Sequence, residues 1–244
     1  MDENRATVLV AGASGGTGRE ILRVLDGRDP TIRALTRDEA KTDRLRALGA
    51  DEVVVGDLLA GTGLDAAVEG VDVVLSAVGS TPSAVLTADE FVDGAGTIAL
   101  LEAAVDAGAE AFVMESALGV GGEGGSVLAR VFDAAIGPIQ DAKARAEAAI
   151  READVRHTIL RPGVLTNGRR TDDVTVAPAE TGLWGAVSRA DVARLMAAAP
   201  YTGAAADRTL EVVATPSHRE VGLAIDWRLP RVATEEITVE VAED

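Results

Sequence analysis

Seven residues from Gly12 to Gly18, GASGGTG, combine spaced glycines with two hydroxyl side chains directly after an apolar run. In such a turn the first glycine permits a sharp bend, the middle pair admits a ligand close to the backbone, and the last lets a helix pack near the strand. The amides at the helix N-terminus then favour a pyrophosphate. The turn therefore predicts dinucleotide binding, and the alternative is a tight turn without a ligand. The predicted contacts are Gly12, Ser14, Gly15, Gly16, Thr17 and Gly18.

The end of the next apolar run indicates which dinucleotide is bound. An acid there holds the ribose 2'-hydroxyl of NAD, whereas an arginine accommodates the 2'-phosphate of NADP. The sequence has Thr36 at the acidic position, followed by Arg37. We therefore expect NADP as the cofactor, with NAD less favoured. In the alternative, Asp38 holds the ribose and Arg37 is one more solvated arginine.

Two later stretches extend the predicted cofactor site. Asp57 and Leu58 follow the third apolar run, where a polar group beside an apolar one would flank an adenine ring. Small residues follow the fourth run and are predicted to form a floor under the cofactor. This floor consists of Ser76, Ala77, Val78 and Gly79. Ordinary packing at strand ends is the alternative for both stretches.

These residues need a scaffold that brings strand ends together, and the pattern of the chain predicts one. Short β-rich runs, several of them continuously apolar, alternate with helical patterns. The runs span residues 6–13, 31–37, 51–57, 71–79, 109–116 and 155–163, and the helical patterns span 16–26, 38–49, 62–70, 88–108 and 140–154. This alternation predicts an α/β fold of the Rossmann type, a doubly wound parallel sheet flanked by helices. Ligands of such sheets bind beyond the carboxyl ends of the strands.

We expect a single domain over residues 1–244, with a small C-terminal lid or substrate region mainly at 164–188 and 200–244. In the lid, residues 174–177 predict a short strand, and a helix is expected to open at Ser188, with Ser188 or Asp191 near its N-cap. Trp184 either covers a flat substrate or plugs the core, and the plug is favoured. Residues 208–214 predict another strand. The last 30 residues are expected to form either an edge strand or an oligomer contact. The run 119–126 is a mobile loop over the site or a flexible connection.

The composition excludes several classes of partner and site. A formal net charge of -17 would repel nucleic acid and anionic lipid, so we expect neither nucleic acid nor membrane as a partner. No cysteine is present, and only His157 and His218 could offer imidazole, so no metal site is expected. The acidic N-terminus and the lack of a long apolar run favour a cytoplasmic protein. Acids spread over the whole chain are typical of proteins from a high-salt cytoplasm.

Five stretches of the chain, taken together, carry a resemblance to a known family. They are the glycine-rich turn, IRALTRD at 32–38, VDVVLSAVG at 71–79, FVMES at 112–116 and HTILRPG at 157–163. From residue 6 to residue 200 the chain resembles the atypical short-chain dehydrogenase/reductase superfamily, in its NmrA-like, NAD(P)H-binding branch. The resemblance implies a Rossmann fold and a bound dinucleotide. It leaves the reaction open, because the branch holds quinone, flavin and biliverdin-type reductases, epimerase relatives, and members that only sense redox state.

The resemblance also implies catalytic positions. Active members use a serine after the fifth strand, which matches Ser116, and a tyrosine four residues before a lysine, which matches Lys143. The tyrosine position is occupied by Ile139, which has no proton to exchange, so the usual acid–base step is not expected. The chain's one tyrosine, Tyr201, lies far along the sequence and is expected to be a surface or packing residue.

What the resemblance leaves is a binding site that could still support hydride transfer. Lys143 would bond the nicotinamide ribose, and Ser116 would orient a carboxamide or a substrate carbonyl. Pro162 and Gly163 would flank the nicotinamide, while Arg161 is an ion-pair partner in the favoured interpretation and an anion contact in the other. Quinones and flavins remain open as acceptors, whereas alcohol oxidation and epimerisation need a base.

Two functions therefore follow from the sequence. The first is an NADP(H)-dependent oxidoreductase acting on a quinone, a flavin or a similar small-molecule acceptor. The second is a non-catalytic NADP-binding redox sensor or assembly protein with a protein partner. Self-association into a homo-oligomer is compatible with both.

Overall fold

A computed structural model describes residues 5–80, 90–121, 127–214 and 221–233, with the backbone alone described at 127–136. Its ten strands, numbered in chain order, are β1 (Thr7–Ala11), β2 (Thr31–Thr36), β3 (Glu52–Val55), β4 (Val73–Ser76), β5 (Ala111–Glu115), β6 (Arg156–Pro162), β7 (Val164–Thr166), β8 (Val174–Pro178), β9 (Ala186–Ser188) and β10 (Arg208–Ala214). Eight of them form one sheet, and β7 pairs with β9 in a separate parallel pair.

The large sheet has the strand order β3-β2-β1-β4-β5-β6-β10-β8. All neighbours run parallel except β8, which runs antiparallel to β10. The order reverses beside β1, where Ala11 is in register with Leu35 of β2 on one side and with Ser76 of β4 on the other. The predicted Rossmann-type sheet is thus confirmed, and its switch point lies directly before the glycine-rich turn.

The helices are α1 (Gly16–Leu25), α2 (Thr42–Arg46), α3 (Leu64–Val68), α4 (Thr97–Asp106), α5 (Val127–Glu152) and α6 (Arg189–Ala198). Two of them differ from the sequence prediction. The helix expected over 88–108 begins as a π-helical turn at Val92–Gly96, where Gly94 lies against Ala142 of α5. α5 begins at Val127 and not at residue 140, and it carries Pro138 in its interior, a residue that usually marks a helix boundary.

The core has one apolar layer on each face of the sheet. On the α1/α6 face, Leu22 of α1 and Val192 of α6 pack with Val113 of β5. On the α4/α5 face, Leu100 and Ile150 pack with Phe112. Residues of odd number in β5 therefore face α1 and α6, which determines the direction of Glu115 at the end of that strand.

The C-terminal half corrects one expectation. Trp184 does not plug the core, because its exposed fraction is 78%. The adjacent Leu183 is buried instead, since its backbone N–H donates to Glu211 of β10 over 2.8 Å and turns the loop so that Trp184 points outward.

In the described part of the C-terminal segment, residues 221–233, the chain forms an irregular strap, while residues 215–220 and 234–244 of the segment expected to form an edge strand or an oligomer contact lie outside the described residues. The Leu223 amide donates to the Val176 carbonyl of β8, and the Arg28 guanidinium donates to the Pro230 carbonyl over 2.8 Å. Residues 122–126 of the predicted mobile loop lie outside the described residues. Nowhere in the described ranges is there a helix with the length and apolarity that crossing a bilayer requires.

Candidate functional site

A cleft opens at the carboxyl ends of β1 to β4, where the strand order reverses. We call it the glycine-turn cleft. It is lined by Gly12, Ser14, Gly15, Leu35, Thr36, Arg37, Gly56, Leu58, Ala77, Val78, Gly79 and Val92. The fold therefore brings together eight of the predicted cofactor contacts, which come from four separate stretches of sequence. Gly56 and Val92 also line the cleft, although neither was predicted to do so.

The backbone of the glycine-rich turn fits a pyrophosphate. A Cβ on Gly12, whose φ is +75°, would lie 2.5 Å from the Ala77 carbonyl oxygen of the neighbouring strand end. A Cβ on Gly18 would lie 2.2 Å from the Gly12 carbonyl oxygen. Gly15 precedes α1 in extended conformation and supplies no side-chain cap, so the amides of the first turn of the helix receive no hydrogen bond from an N-cap side chain. This exposed amide terminus is the arrangement that binds phosphate.

Arg37 lies at the edge of the cleft with its guanidinium available. It is exposed, and within the described ranges it makes no hydrogen bond or ion pair. Its neighbour Asp38 is engaged elsewhere, because it accepts the Ala40 N–H over 3.1 Å and pairs with Lys41 at 3.5 Å. The end of β2 thus carries a guanidinium without a partner among the described residues beside a carboxylate that has two.

The other eight predicted contacts do not line the cleft, namely Gly16, Thr17, Gly18, Asp57, Ser76, Lys143, Pro162 and Gly163. Asp57 accepts the amides of Leu59 and Ala60, so its carboxylate holds the turn after β3. Ser76 is buried, and its hydroxyl has no hydrogen-bond partner among the described residues. Gly16 also lies outside, on the far side of the turn, where it lines a second cleft.

Thr17 faces the sheet and not the cleft. Its hydroxyl donates to Oε1 of Glu115 over 2.8 Å, and both side chains are buried. Burial raises the pKa of Glu115, while the Thr17 hydrogen bond and the charges of Lys143 and Arg189 oppose that rise. Sequence reasoning treated Glu115 as an ordinary strand residue, although an acid in an otherwise apolar run was a signal of a paired or protonated group.

Lys143 lies at the carboxyl edge of the sheet in a buried ion pair. Its ammonium is 2.9 Å from Oδ1 of Asp93 and donates to the Glu115 carbonyl oxygen over 3.4 Å. Asp93 comes from the π-helical turn before α4, and its second oxygen accepts the Ser80 amide over 2.7 Å. The prediction placed Lys143 in the site but missed Asp93, which holds the ammonium in position.

Ser116 is occupied by an internal partner. Its hydroxyl donates to Oε1 of Glu147 over 2.6 Å, and Glu147 also accepts from Nε and Nη2 of Arg161 at 2.9 and 2.6 Å. Glu147 forms a further ion pair with Arg151. Arg161 is therefore an ion-pair partner, as the favoured interpretation held, and the Ser116 hydroxyl points at a carboxylate and not into the cleft.

No phenol reaches this edge of the sheet. Ile139 is buried on α5, one turn before Lys143. Tyr201, the only tyrosine in the chain, lies beside Thr7 and Asp72 at the amino ends of the strands. Burial raises the pKa of its hydroxyl, which has no hydrogen-bond partner among the described residues. Tyr201 is therefore on the opposite edge of the sheet from Lys143.

Pro162 and Gly163 shape the chain beyond β6. The Pro162 carbonyl accepts the Leu118 amide over 2.9 Å. A Cβ on Gly163 would lie 2.3 Å from the Gly185 carbonyl oxygen, so only glycine allows the two segments to approach. Neither residue lines the glycine-turn cleft.

Arg189, at the start of α6, was missed by the sequence prediction. Its side chain crosses Gly16, where an added Cβ would lie 2.5 Å from its Cδ and Nε. The guanidinium donates to Asn167 over 2.8 Å. Ser188 caps α6 as predicted, because its hydroxyl accepts the Asp191 amide over 3.0 Å.

The residues of the glycine-turn cleft fit a dinucleotide, and comparison with known proteins agrees with this fit. A family model described as NAD(P)H-binding matches residues 12–200. An uncharacterized chloroplastic protein of Arabidopsis thaliana is 33% identical over 214 residues, which cover 85% of this chain and 76% of that protein. Among the described residues, no group of three or more histidines and acids is arranged to hold a metal ion.

Solved structures show the same fold. A candidate NAD-dependent epimerase/dehydratase from Bacillus halodurans superposes with a TM-score of 0.73 at 28% identity, covering 88% of this chain and 98% of that one. The anaerobilin reductase ChuY from Escherichia coli O157:H7 superposes with a TM-score of 0.72 at 22% identity, covering 87% and 100%. With its Rossmann sheet, its glycine turn and the family match over residues 12–200, the chain belongs to the NAD(P)H-binding family.

Proposed function

We propose that the protein is an NADPH-dependent reductase that passes a hydride to a flat, electron-accepting substrate such as a quinone or a flavin. The observation that carries the proposal is the placement of Lys143, which Asp93 holds at the carboxyl edge of the sheet. Ile139 occupies the position of the family's proton-donating tyrosine, so the site favours an acceptor that needs no such donor. Bound NADPH supplies the hydride, and a quinone or flavin takes its proton from solvent, so no phenol is required.

The preference for NADPH rests on Arg37. A guanidinium without a partner among the described residues, at the end of β2, can form a bidentate contact with a 2'-phosphate. Asp38, which could have favoured the 2'-hydroxyl of NAD, is committed to Ala40 and Lys41.

The remaining residues bind and orient. The amides after Gly15 would hold the pyrophosphate, and Leu58 with Val78 would line the adenine end. Lys143 would donate to the nicotinamide ribose from a position that Asp93 fixes. The E. coli neighbour is named as a reductase, which supports redox chemistry. Epimerisation or dehydration, as in the name of the B. halodurans neighbour, needs a base at a carbinol. Isoleucine at position 139 cannot act as that base, so these reactions are less favoured.

A specific observation also favours a second function, that of a non-catalytic NADP-binding sensor or assembly protein. The Ser116 hydroxyl donates to Glu147 and the tyrosine position is isoleucine, so neither of the family's polar substrate contacts is available. In this reading, occupancy of the cleft would change the surface offered to a protein partner.

One assay separates the two functions. Purified protein is mixed with NADPH and, in turn, with quinones, free flavins and small carbonyls at low and high salt, and NADPH consumption is followed by absorbance. Reduction of a quinone or flavin but of no simple ketone is the expected result. Tight NADPH binding with no consumption by any acceptor would overturn the reductase and support the sensor.

A matched pair of variants shows whether the activity belongs to the site. Arg37→Gln should raise the KM for NADPH, whereas Arg46→Gln, which removes the same charge from an exposed position of α2, should leave it unchanged. Equal effects of the two changes would mean that the protein's general charge governs cofactor affinity.

A further inference from the structure

A second cleft lies on the other side of the glycine-rich turn from the glycine-turn cleft. We call it the arginine cleft, because four arginines line it together with one acid and one amide. These residues are Arg19, Glu20, Arg23, Arg44, Asn167 and Arg189. In a chain of net charge -17, this is a local concentration of positive charge within an otherwise acidic protein.

The charges in the arginine cleft are only partly compensated. Arg23 pairs with Glu20 at 2.5 Å. Arg19 donates to the Ser14 carbonyl oxygen over 2.9 Å and Arg189 to the Asn167 side chain, both of which are neutral acceptors. Arg44 is exposed and makes no hydrogen bond or ion pair with any described residue. Three guanidinium groups therefore line the cleft without a carboxylate at ion-pair distance among the described residues.

The tertiary fold creates this arrangement. Arg19, Glu20 and Arg23 follow Gly16 at helical spacing and lie on one side of α1. Arg44 comes from α2 and Arg189 from the start of α6. Like charges gathered from three helices repel one another unless an anion lies between them, and guanidinium groups bind phosphate oxygens in a bidentate manner.

Gly16 separates the arginine cleft from the predicted dinucleotide site. Ser14 and Gly15 line the glycine-turn cleft, whereas Gly16 lines the arginine cleft, so the backbone of the turn lies between the two. The side chain of Arg189 crosses the turn at Gly16 and leads into the arginine cleft.

We propose that the arginine cleft is a second oxyanion site, which binds the phosphate group of a ligand other than the dinucleotide. A phosphorylated small molecule bound there would lie beside α1 and the loop at Asn167, next to the cofactor but independent of it. The proposal does not depend on whether the protein reduces a substrate.

The test uses inorganic pyrophosphate as the probe and isothermal titration calorimetry as the measurement. Wild-type protein is titrated with and without saturating NADPH at low salt, because exposed charges are strongly screened at high salt. Arg44→Gln removes the unpaired charge of the cleft. Arg46→Gln removes an equal charge from the same helix outside the cleft and serves as the matched control.

We expect pyrophosphate to bind with and without NADPH, and Arg44→Gln to weaken that binding about fivefold while Arg46→Gln changes it less than about twofold. Arg189→Gln should also weaken it. Pyrophosphate can also occupy the glycine-rich turn in the absence of NADPH, so the deciding titration is the one in which saturating NADPH fills that turn. Failure of pyrophosphate to bind the NADPH-loaded protein would overturn the proposal, because the arginine cleft would then be no independent site. Equal effects of the Arg44 and Arg46 changes, or no binding, would overturn it as well.

Discussion

The hydroxyl of Thr17 donates to the carboxyl of Glu115 over 2.8 Å, which joins the first turn of α1 to the end of β5 on the sheet face that α1 covers. This bond directs Thr17 away from the cofactor cleft and places a buried acid beneath the glycine-rich turn. Burial is the largest influence on that acid and raises its pKa. Glu115 is consequently a group whose protonation is linked to folding.

Replacing Glu115 by glutamine should alter how stability depends on pH. The folded-state pKa lies above the unfolded value, so the contribution of Glu115 is fully present below the ordinary glutamate pKa and is lost as pH rises through the folded pKa. Glutamine keeps an oxygen for Thr17 but does not titrate. The free energy of unfolding, measured in urea across pH, should therefore rise in Glu115→Gln relative to wild type as pH increases. A difference that stays constant with pH would show that Glu115 ionises alike in both states.

Replacing Gly12 by alanine should cost far more than the same change at Gly27. Both residues have similar positive φ, +75° and +70°, but a Cβ at Gly27 meets nothing within 4 Å whereas one at Gly12 would lie 2.5 Å from the Ala77 carbonyl oxygen. Gly27→Ala should lower the free energy of unfolding by about 1 kcal/mol through backbone strain alone. Gly12→Ala should lose several kcal/mol, roughly 3 or more, and abolish NADPH binding. Comparable losses in the two variants would remove the steric argument.

Replacing Arg37 by glutamine should change the choice of cofactor. Loss of a charge-assisted contact to the 2'-phosphate should weaken NADPH binding about tenfold and leave NADH binding nearly unchanged. Fluorescence titration with both cofactors measures the ratio, and NADH serves as the internal control. A proportional loss for both cofactors would mean that Arg37 acts on the shared part of the molecule.

Replacing Lys143 and Asp93 singly and together should have strongly non-additive effects on the free energy of unfolding. Asp93 is 1% exposed, so Lys143→Met alone would leave a buried carboxylate without its cation and should cost about 3–5 kcal/mol in the free energy of unfolding. The double variant Lys143→Met/Asp93→Asn removes both charges and should recover most of that loss. The double variant should nevertheless bind NADPH more weakly than the wild type, because no ammonium remains for the ribose. Additive losses in chemical denaturation would contradict a coupled pair.

The sequence predicted best where a local rule acts on a few adjacent residues. The glycine-rich turn, Arg37 after β2 and the small residues after β4 follow from strand-end geometry, and the fold brings them into one cleft. The strand at 208–214 was predicted to the residue, because its apolar run is bounded by polar residues. Ser188 was one of two cap candidates, with Asp191, and the structure places it at the N-cap of α6.

The remaining features depend on contacts between distant elements. Asp93 and Lys143 are 50 residues apart in numbering, and nothing in either local sequence indicates that a π-helical turn brings them together. Glu147 likewise takes up the Ser116 hydroxyl from the next helix. The direction of Trp184 is determined by a hydrogen bond that Glu211 accepts from Leu183, so side-chain type alone favoured the wrong interpretation.

The C-terminal strap has a consequence for the order in which the chain is completed during synthesis. Arg28 donates to the Pro230 carbonyl across 202 positions of sequence, and the Asp29 amide donates to the Arg231 carbonyl. Arg28 and Asp29 lie between α1 and β2 and are translated before β2, yet these partners leave the ribosome only after all ten described strands have been translated. A nascent chain arrested before residue 230 would therefore lack the bonds that hold the segment between α1 and β2 to the C-terminal strap.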